Sequence, residues 1–263
     1  MKQNPTRQAF SLVELLIVIL IIGIISAFAV PAVQGMLKSS QLTQASGLLV
    51  DTMALARQTA LSKNRTIEVR FYRFADNEVP GEDPTKPETG HFRGMQSFEI
   101  AESGVLIPVS KVVRFPENIV MNSGIPGDGV LSTILGDDRL AEKKSPPSMI
   151  ITVDKINKQS DPELPRGVGH KYEYVAFRFL PDGSTNLPPT GVTDAKSASE
   201  DDSNANSTSK RPSDGGLWYI TIHSLADWDK QKKNGNLKPP PNYFTWMIDP
   251  LTGVSKTFRP SLR

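Results

Sequence analysis

The sequence predicts an α+β chain: one long N-terminal α-helix, then a mostly antiparallel β-sheet domain packed on the helix's second half. Three observations carry this prediction. An uncharged apolar run extends from Leu15 to Val33. From Leu37 to Ala60 the apolar residues recur mostly at steps of three and four, the period of a helix. From Thr66 the period changes to two, and short runs rich in β-branched and aromatic residues follow, separated by Gly, Pro, Asn and Asp.

The chain has 263 residues, enough for one medium domain plus an anchor, or for two small domains. Thirty Lys and Arg stand against 28 Asp and Glu, a net charge of +2. No basic stripe marks a nucleic-acid surface, so no nucleic-acid partner is expected. The absence of cysteine excludes disulfides, thiol catalysis, thiolate metal sites and lipoprotein lipidation. A domain of this size builds a core without such staples.

Met1 to Ala9 are polar and carry Lys2 and Arg7. The nineteen residues from Leu15 to Val33 span nearly 30 Å as a helix, at about 1.5 Å per residue, which matches a hydrocarbon core. The positive flank orients the bulk of the chain away from the cytoplasm. Three readings compete at this terminus. A secretory signal peptide would be cut after a small-x-small site, for which Ala27-Phe28-Ala29 offers a weak match. A signal anchor would stay uncut. A third kind of leader is removed before the apolar run, which leaves the helix in the mature protein.

Glu14 separates these readings. A carboxylate inside a membrane segment costs about 2.5–3.5 kcal/mol on insertion scales, so it is a functional residue by default. Its position in the first turns of a helix is favoured by the macrodipole. A merely interfacial carboxylate in the headgroup layer is the plainer reading. Pro31 lacks an N–H and predicts a kink, and Gly23 and Gly35 add local weakness.

Ala9-Phe10-Ser11-Leu12-Val13-Glu14-Leu15-Leu16 resembles the processing motif of type IV prepilins. In that family a small residue, usually Gly, precedes an N-methylated Phe, and a Glu follows four residues after the Phe. Phe10 and Glu14 match, Ala9 stands in place of the usual Gly, and Pro31 sits where many pilins carry a kinking proline. The resemblance covers the first 35 residues or so. It implies cleavage between Ala9 and Phe10, N-methylation of Phe10, and assembly of subunits in which Glu14 meets the new amino terminus of a neighbour.

The implied layout is a leader over residues 1–9, a transmembrane and assembly helix over 10–35, and its amphipathic continuation over 36–63. A β-rich extracytoplasmic domain follows over 64–263, with a mobile loop at about 185–216. In the continuation Leu37, Leu42, Ala45, Leu48, Leu49, Met53, Ala56 and Ala60 form the apolar side; Lys38, Gln41, Gln44, Asp51 and Gln58 form the other. Ser62-Lys63-Asn64 is the expected stop.

Thr66–Tyr72 alternates as a half-buried strand does. Further strands are expected at Met95–Ala101, Val105–Phe115, Met149–Val153, Tyr172–Leu180, Leu217–His223 and Tyr243–Ile248. Pro80–Gly90 reads as a loop, Ile156–Gly169 as an irregular connection, and Gln231–Asn242, with three consecutive prolines, as an extended surface segment. The loop over 185–216 contains a Ser-, Asn- and Asp-rich stretch that cannot bury a core.

Two turns in the C-terminal half carry a further resemblance. Phe179-Leu180-Pro181-Asp182-Gly183-Ser184 is similar to a strand–turn element of H-type minor pseudopilins, the FimT-like group. Ile248-Asp249-Pro250-Leu251-Thr252-Gly253-Val254 is similar to the last hairpin of that group. Ordinary hairpin turns account for both equally well, since Pro presets φ and Gly accepts a positive φ. Val109-Ser110-Lys111-Val112-Val113-Arg114-Phe115-Pro116 resembles a segment of the Verru_Chthon cassette protein D family.

No catalytic pattern emerges. His91 and His170 lie beside glycine in loop-like sequence, and His223 ends a strand as a surface histidine. Gly124–Gly129 reads as a turn and not as a phosphate loop. Asp137-Asp138 and Glu200-Asp201-Asp202 reproduce no spaced calcium-ligand series. Trp218, Trp228 and Trp246 read as buried strand aromatics. No cofactor or metal is expected.

The resemblance therefore implies a non-enzymatic structural subunit, a minor pseudopilin or pilin-like protein. Its partners would be other pilin subunits through the N-terminal helix, prepilin peptidase, an inner-membrane assembly platform and membrane lipid. It would be single-pass in the inner membrane with the domain outside, or incorporated in a pilus or pseudopilus. The alternative is a membrane-anchored extracytoplasmic enzyme or ligand-binding module that uses the helix only as an anchor.

Overall fold

The structure is a computed structural model. It describes residues 12–86, 89–122, 132–135, 150–153, 172–187, 218–227, 240 and 242–260, without the side chains of 28–34 and 150–153. One helix, α1 (Leu12–Lys63), is followed by β1 (Ile67–Phe74), β2 (His91–Ile100), β3 (Leu106–Pro108), β4 (Val113–Arg114), β5 (Ile119–Met121), β6 (Ile150–Val153), β7 (Tyr172–Phe179), β8 (Trp218–Ser224), β9 (Tyr243–Ile248) and β10 (Ser255–Phe258). The chain divides into two compact units, residues 1–40 and 41–263.

In the first unit the described chain is helical throughout, including the backbone at Pro31. Every side chain from Leu12 to Ala27 is exposed. No helix is long and apolar enough among the described residues to cross a membrane. The sixteen residues from Leu12 to Ala27 measure about 24 Å at about 1.5 Å each, short of the ~30 Å required. The run read from the sequence, Leu15–Val33, continues into residues whose side chains lie outside the description. Leu37, expected in the buried stripe, is exposed and falls in this first unit.

In the second unit Leu42, Ala45, Leu49, Met53, Ala56 and Ala60 of α1 are buried in one cluster with residues of the sheet. Their steps of three and four place them on one face. α1 ends at a left-handed cap. Asn64 takes φ 50°, and the Arg65 N–H donates to the Ala60 carbonyl at 3.2 Å, the long bond of a Schellman motif. The expected stop lies there.

The described strands form one sheet in the order β10-β9-β8-β5-β2-β1-β7-β6, with β3 and β4 also pairing β2. Every described pairing is antiparallel. The α+β expectation is therefore met.

Several expectations are corrected in detail. Val105–Phe115 is not one strand. It belongs to an interrupted strand made of β3, β4 and β5, which all run along the same edge of β2. From Phe98↔Pro108 to Met95↔Val113 the partner advances five residues against three of β2. From Gly94↔Arg114 to Phe92↔Met121 it advances seven against two. The extra residues are bulges. Pro108 has no N–H to continue the ladder. The Ser110 hydroxyl takes the Ser97 N–H, and the Ser110 carbonyl takes the Gln96 side chain. The strands β5 and β10 went unrecognised.

β1 is not half-buried; it is buried on both faces. Ile67, Val69 and Phe71 join the helix-side core. The alternate residues Glu68, Arg70, Tyr72 and Phe74 are buried as well, with Tyr72 and Phe74 clustered with Tyr172 and Tyr174. The polar members are accommodated because they pair. Arg70 Nε donates to Glu68 Oε1 at 2.7 Å, and Arg178 Nε donates to Glu68 Oε2 at 2.9 Å. The Arg70 guanidinium also lies 4.8 Å from the Phe98 ring centroid and 4.4 Å from that of Tyr174. Opposite charge and aromatic faces together offset the cost of burying the ion.

His91 is not in a loop; it opens β2, paired with Phe74. His223 is not a surface residue. It is buried; its Nδ1–H donates to the Ser224 carbonyl at 3.1 Å, and its Nε2 accepts from Asn122 Nδ2 at 3.1 Å. Thr185 to Leu187 are not part of a free loop, since Leu187 sits in the core and Thr185 bridges to Phe179. The rest of that loop, residues 188–216, lies outside the described residues. So do Ile156–Gly169, Gly124–Gly129, Asp137-Asp138, Glu200–Asp202, His170, Trp228 and most of Gln231–Asn242.

Candidate functional site

The processing residues Ala9 and Phe10 lie outside the described residues. Glu14 is described. It is the acidic residue in the first turn of α1, where the unpaired N–H groups and the macrodipole favour a carboxylate. Leu12, Val13, Leu15, Leu16, Ile17, Val18, Ile19 and their neighbours to Ile25 expose large aliphatic side chains around it. A soluble monomer rarely exposes so much contiguous apolar surface, which marks lipid or protein contact. Pro31 has a helical backbone, and its side chain lies outside the description.

In the second unit the two turns singled out in the sequence come together against α1. Pro181-Asp182-Gly183 turns with Gly183 at φ 83°, and the β9–β10 hairpin turns with Gly253 at φ 64°. Asp182 caps its own turn, with Oδ1 accepting from the Ser184 hydroxyl at 2.6 Å and the Ser184 N–H at 2.9 Å. Those hydrogen bonds hold its pKa below the ordinary aspartate value. The Thr185 N–H donates to the Pro250 carbonyl at 2.8 Å, joining one turn to the other.

Arg57 braces both. Its Nε donates to the Gly183 carbonyl at 3.2 Å, and its Nη2 donates to the Thr252 carbonyl at 2.9 Å. The turns approach so closely that a Cβ on Gly253 would stand 1.9 Å from the Gly183 oxygen. Sequence reasoning identified both turns and missed Arg57. Its only visible signal was a cation on the helix face beside the buried stripe.

The electrostatics on the far face of the sheet follow from burial. Burial works against the Arg70 charge, but the Glu68 carboxylate, the neighbouring tyrosines and the Glu68 hydrogen bond outweigh it and raise its pKa. Burial pushes the Tyr72 hydroxyl far above its ordinary value, with Tyr172, Tyr174 and Glu68 adding to the shift and Arg70 opposing it. This cluster is closed to solvent and serves the fold.

His91 and His223 are not brought together. Among the described residues no group of three or more His, Cys, Asp or Glu is placed to hold a metal ion. Trp218 and Trp246 are buried strand aromatics, as expected.

Residues 4–30 match the family model described as the prokaryotic N-terminal methylation motif. Neither a curated protein nor a solved structure matches the chain. The chain thus carries the type IV pilin-like signal, followed by a helix and an antiparallel sheet domain. That signal is one of structural subunits that prepilin peptidase processes, and not of enzymes.

Proposed function

We propose that the chain is a minor pseudopilin or pilin-like subunit of a type II secretion or type IV pilus-like machine. The observation that carries this reading is the methylation motif at residues 4–30, continued by an exposed aliphatic helix with Glu14 in its first turn. Prepilin peptidase removes residues 1–9 and Phe10 becomes the methylated amino terminus. Residues 10–35 then anchor the subunit in the inner membrane before assembly, and Pro31, which lacks an N–H, loosens the continuous helix there. Residues 36–63 carry the helix into the extracytoplasmic domain over 64–263.

In the assembled fibre the Glu14 carboxylate neutralises the Phe10 amino terminus of a neighbouring subunit. Two opposite charges removed from water together cost far less than either alone. The other partners are the assembly platform and lipid. The absence of cysteine and the two braced glycine turns favour a minor pseudopilin over a disulfide-clamped major subunit.

The test is Glu14→Ala in the native host. Leader removal, read by mass on the membrane fraction, should stay intact, while incorporation into sheared or overexpressed fibres should fall at least tenfold. Normal incorporation would remove the role assigned to the carboxylate.

A further inference from the structure

A cavity of about 420 Å³ opens in the second unit between the end of β1, the loop after it and the bulge between β4 and β5. Its volume lies in the range of small-molecule sites. The bulge forms one wall and is fixed at both ends. The Phe115 N–H donates to the Arg93 carbonyl at 2.9 Å, and the Leu225 N–H donates to the Asn118 carbonyl at 2.7 Å. Asn118 takes a left-handed φ of 65° to make that corner.

Two guanidinium groups line the cavity with opposite circumstances. The charge of Arg93 is already answered, with Glu82 accepting from its Nη2 and Asp76 Oδ2 standing 3.6 Å from its Nη1, and only its buried Nε is left without an acceptor among the described residues. Arg114 is exposed and lies over the Phe74 ring, 4.7 Å from its centroid. It has no carboxylate partner among the described residues. A guanidinium held over an aromatic face is a ready partner for a carboxylate, which accepts its N–H donors in a bidentate pair. Glu78 and Glu117 line the same cavity, and neither is in an ion pair among the described residues. Two carboxylates beside one available cation disfavour a multiply charged anion and favour a ligand that brings its own ammonium.

We infer that this cavity binds a small zwitterion of amino-acid or short-peptide type, its carboxylate on Arg114 and its ammonium facing Glu78 and Glu117. The inference is independent of assembly through the helix.

Calorimetric titration of the full chain in detergent tests it, with four probes: alanylalanine, its N-acetyl form, its C-terminal amide and inorganic phosphate. Alanylalanine should saturate one site, and blocking either terminus should weaken binding by about tenfold, the loss of one charge-assisted hydrogen bond. Arg114→Gln should weaken alanylalanine and the N-acetyl form by a similar factor and leave the amide unchanged. Glu78→Gln with Glu117→Gln should do the reverse. Equal thermal midpoints of variants and parent establish that the fold is kept, and Arg114→Lys, which keeps the charge, should bind at an intermediate level. No saturable binding of alanylalanine overturns the inference. So do tighter binding of phosphate and unchanged binding by Arg114→Gln.

Discussion

Replacing Gly253 with Ala tests the junction of the two turns and α1 through a single methyl group. Two costs add at this position. The residue holds φ 64°, and a left-handed conformation costs an L-residue about 1–2 kcal/mol. The new Cβ would also stand 1.9 Å from the Gly183 carbonyl oxygen and 3.0 Å from Arg57 Nε. Ordinary contact needs roughly 3.4 Å or more, so the hairpin must move away from the Pro-Asp-Gly turn by more than an ångström. That movement breaks the Arg57–Thr252 and Thr185–Pro250 hydrogen bonds, which tie the hairpin to α1 and to the other turn, each worth about 1 kcal/mol net. The expected loss is about 3–4 kcal/mol in all. Gly104→Ala is the control, because Gly104 has φ 79° but nothing within 4 Å of an added Cβ, so only the conformational cost of about 1–2 kcal/mol applies. Urea unfolding of the full chain in detergent, followed by tryptophan fluorescence from buried Trp218 and Trp246, measures both. A Gly253→Ala loss within about 0.5 kcal/mol of the Gly104→Ala loss would refute the close-packed junction.

Glu68→Ala strands Arg70 between two rings without its carboxylate and should cost about 3–5 kcal/mol. Glu68→Leu combined with Arg70→Met should recover much of that loss in the same urea assay. Tyr72 makes alkaline stability measurable. Its folded pKa is raised, so its contribution is complete below the unfolded value near 10. Above that value the unfolded chain releases the proton while the folded chain keeps it, so stability falls by up to about 1.4 kcal/mol per pH unit. Tyr72→Phe should flatten the fall in urea midpoint between about pH 9 and about pH 11; an unchanged slope would contradict the assignment.

The parts of the fold legible in the sequence are those set by local periodicity. The buried stripe from Leu42 to Ala60, the stop at Asn64 and the strands near Tyr172–Phe179 and Tyr243–Ile248 all follow from spacing and turn chemistry. What the sequence hid depends on partners far along the chain. Glu68 and Arg70 read as the solvent side of a strand because alternation marks the two faces of a strand, not whether the second is covered. The bulges around Ser110 and Phe115–Asn118 cannot be seen without the register of β2. His223 looked like a surface residue because its partner, Asn122, comes from a distant part of the chain, just past the end of β5. The two glycine turns were visible, but their mutual contact and the brace from Arg57 are tertiary facts. For the candidate assembly site the order is reversed. Its evidence is nearly all sequence, the motif at residues 4–30, and the structure adds the helical placement and exposure of Glu14.

The central claim is processing before the apolar helix. N-terminal sequencing and intact mass of the full chain purified from native membranes test it most directly. The account predicts a mature chain beginning with N-methylated Phe10 and retaining the whole helix. A chain still beginning at Met1, or one starting after Ala29, would contradict it.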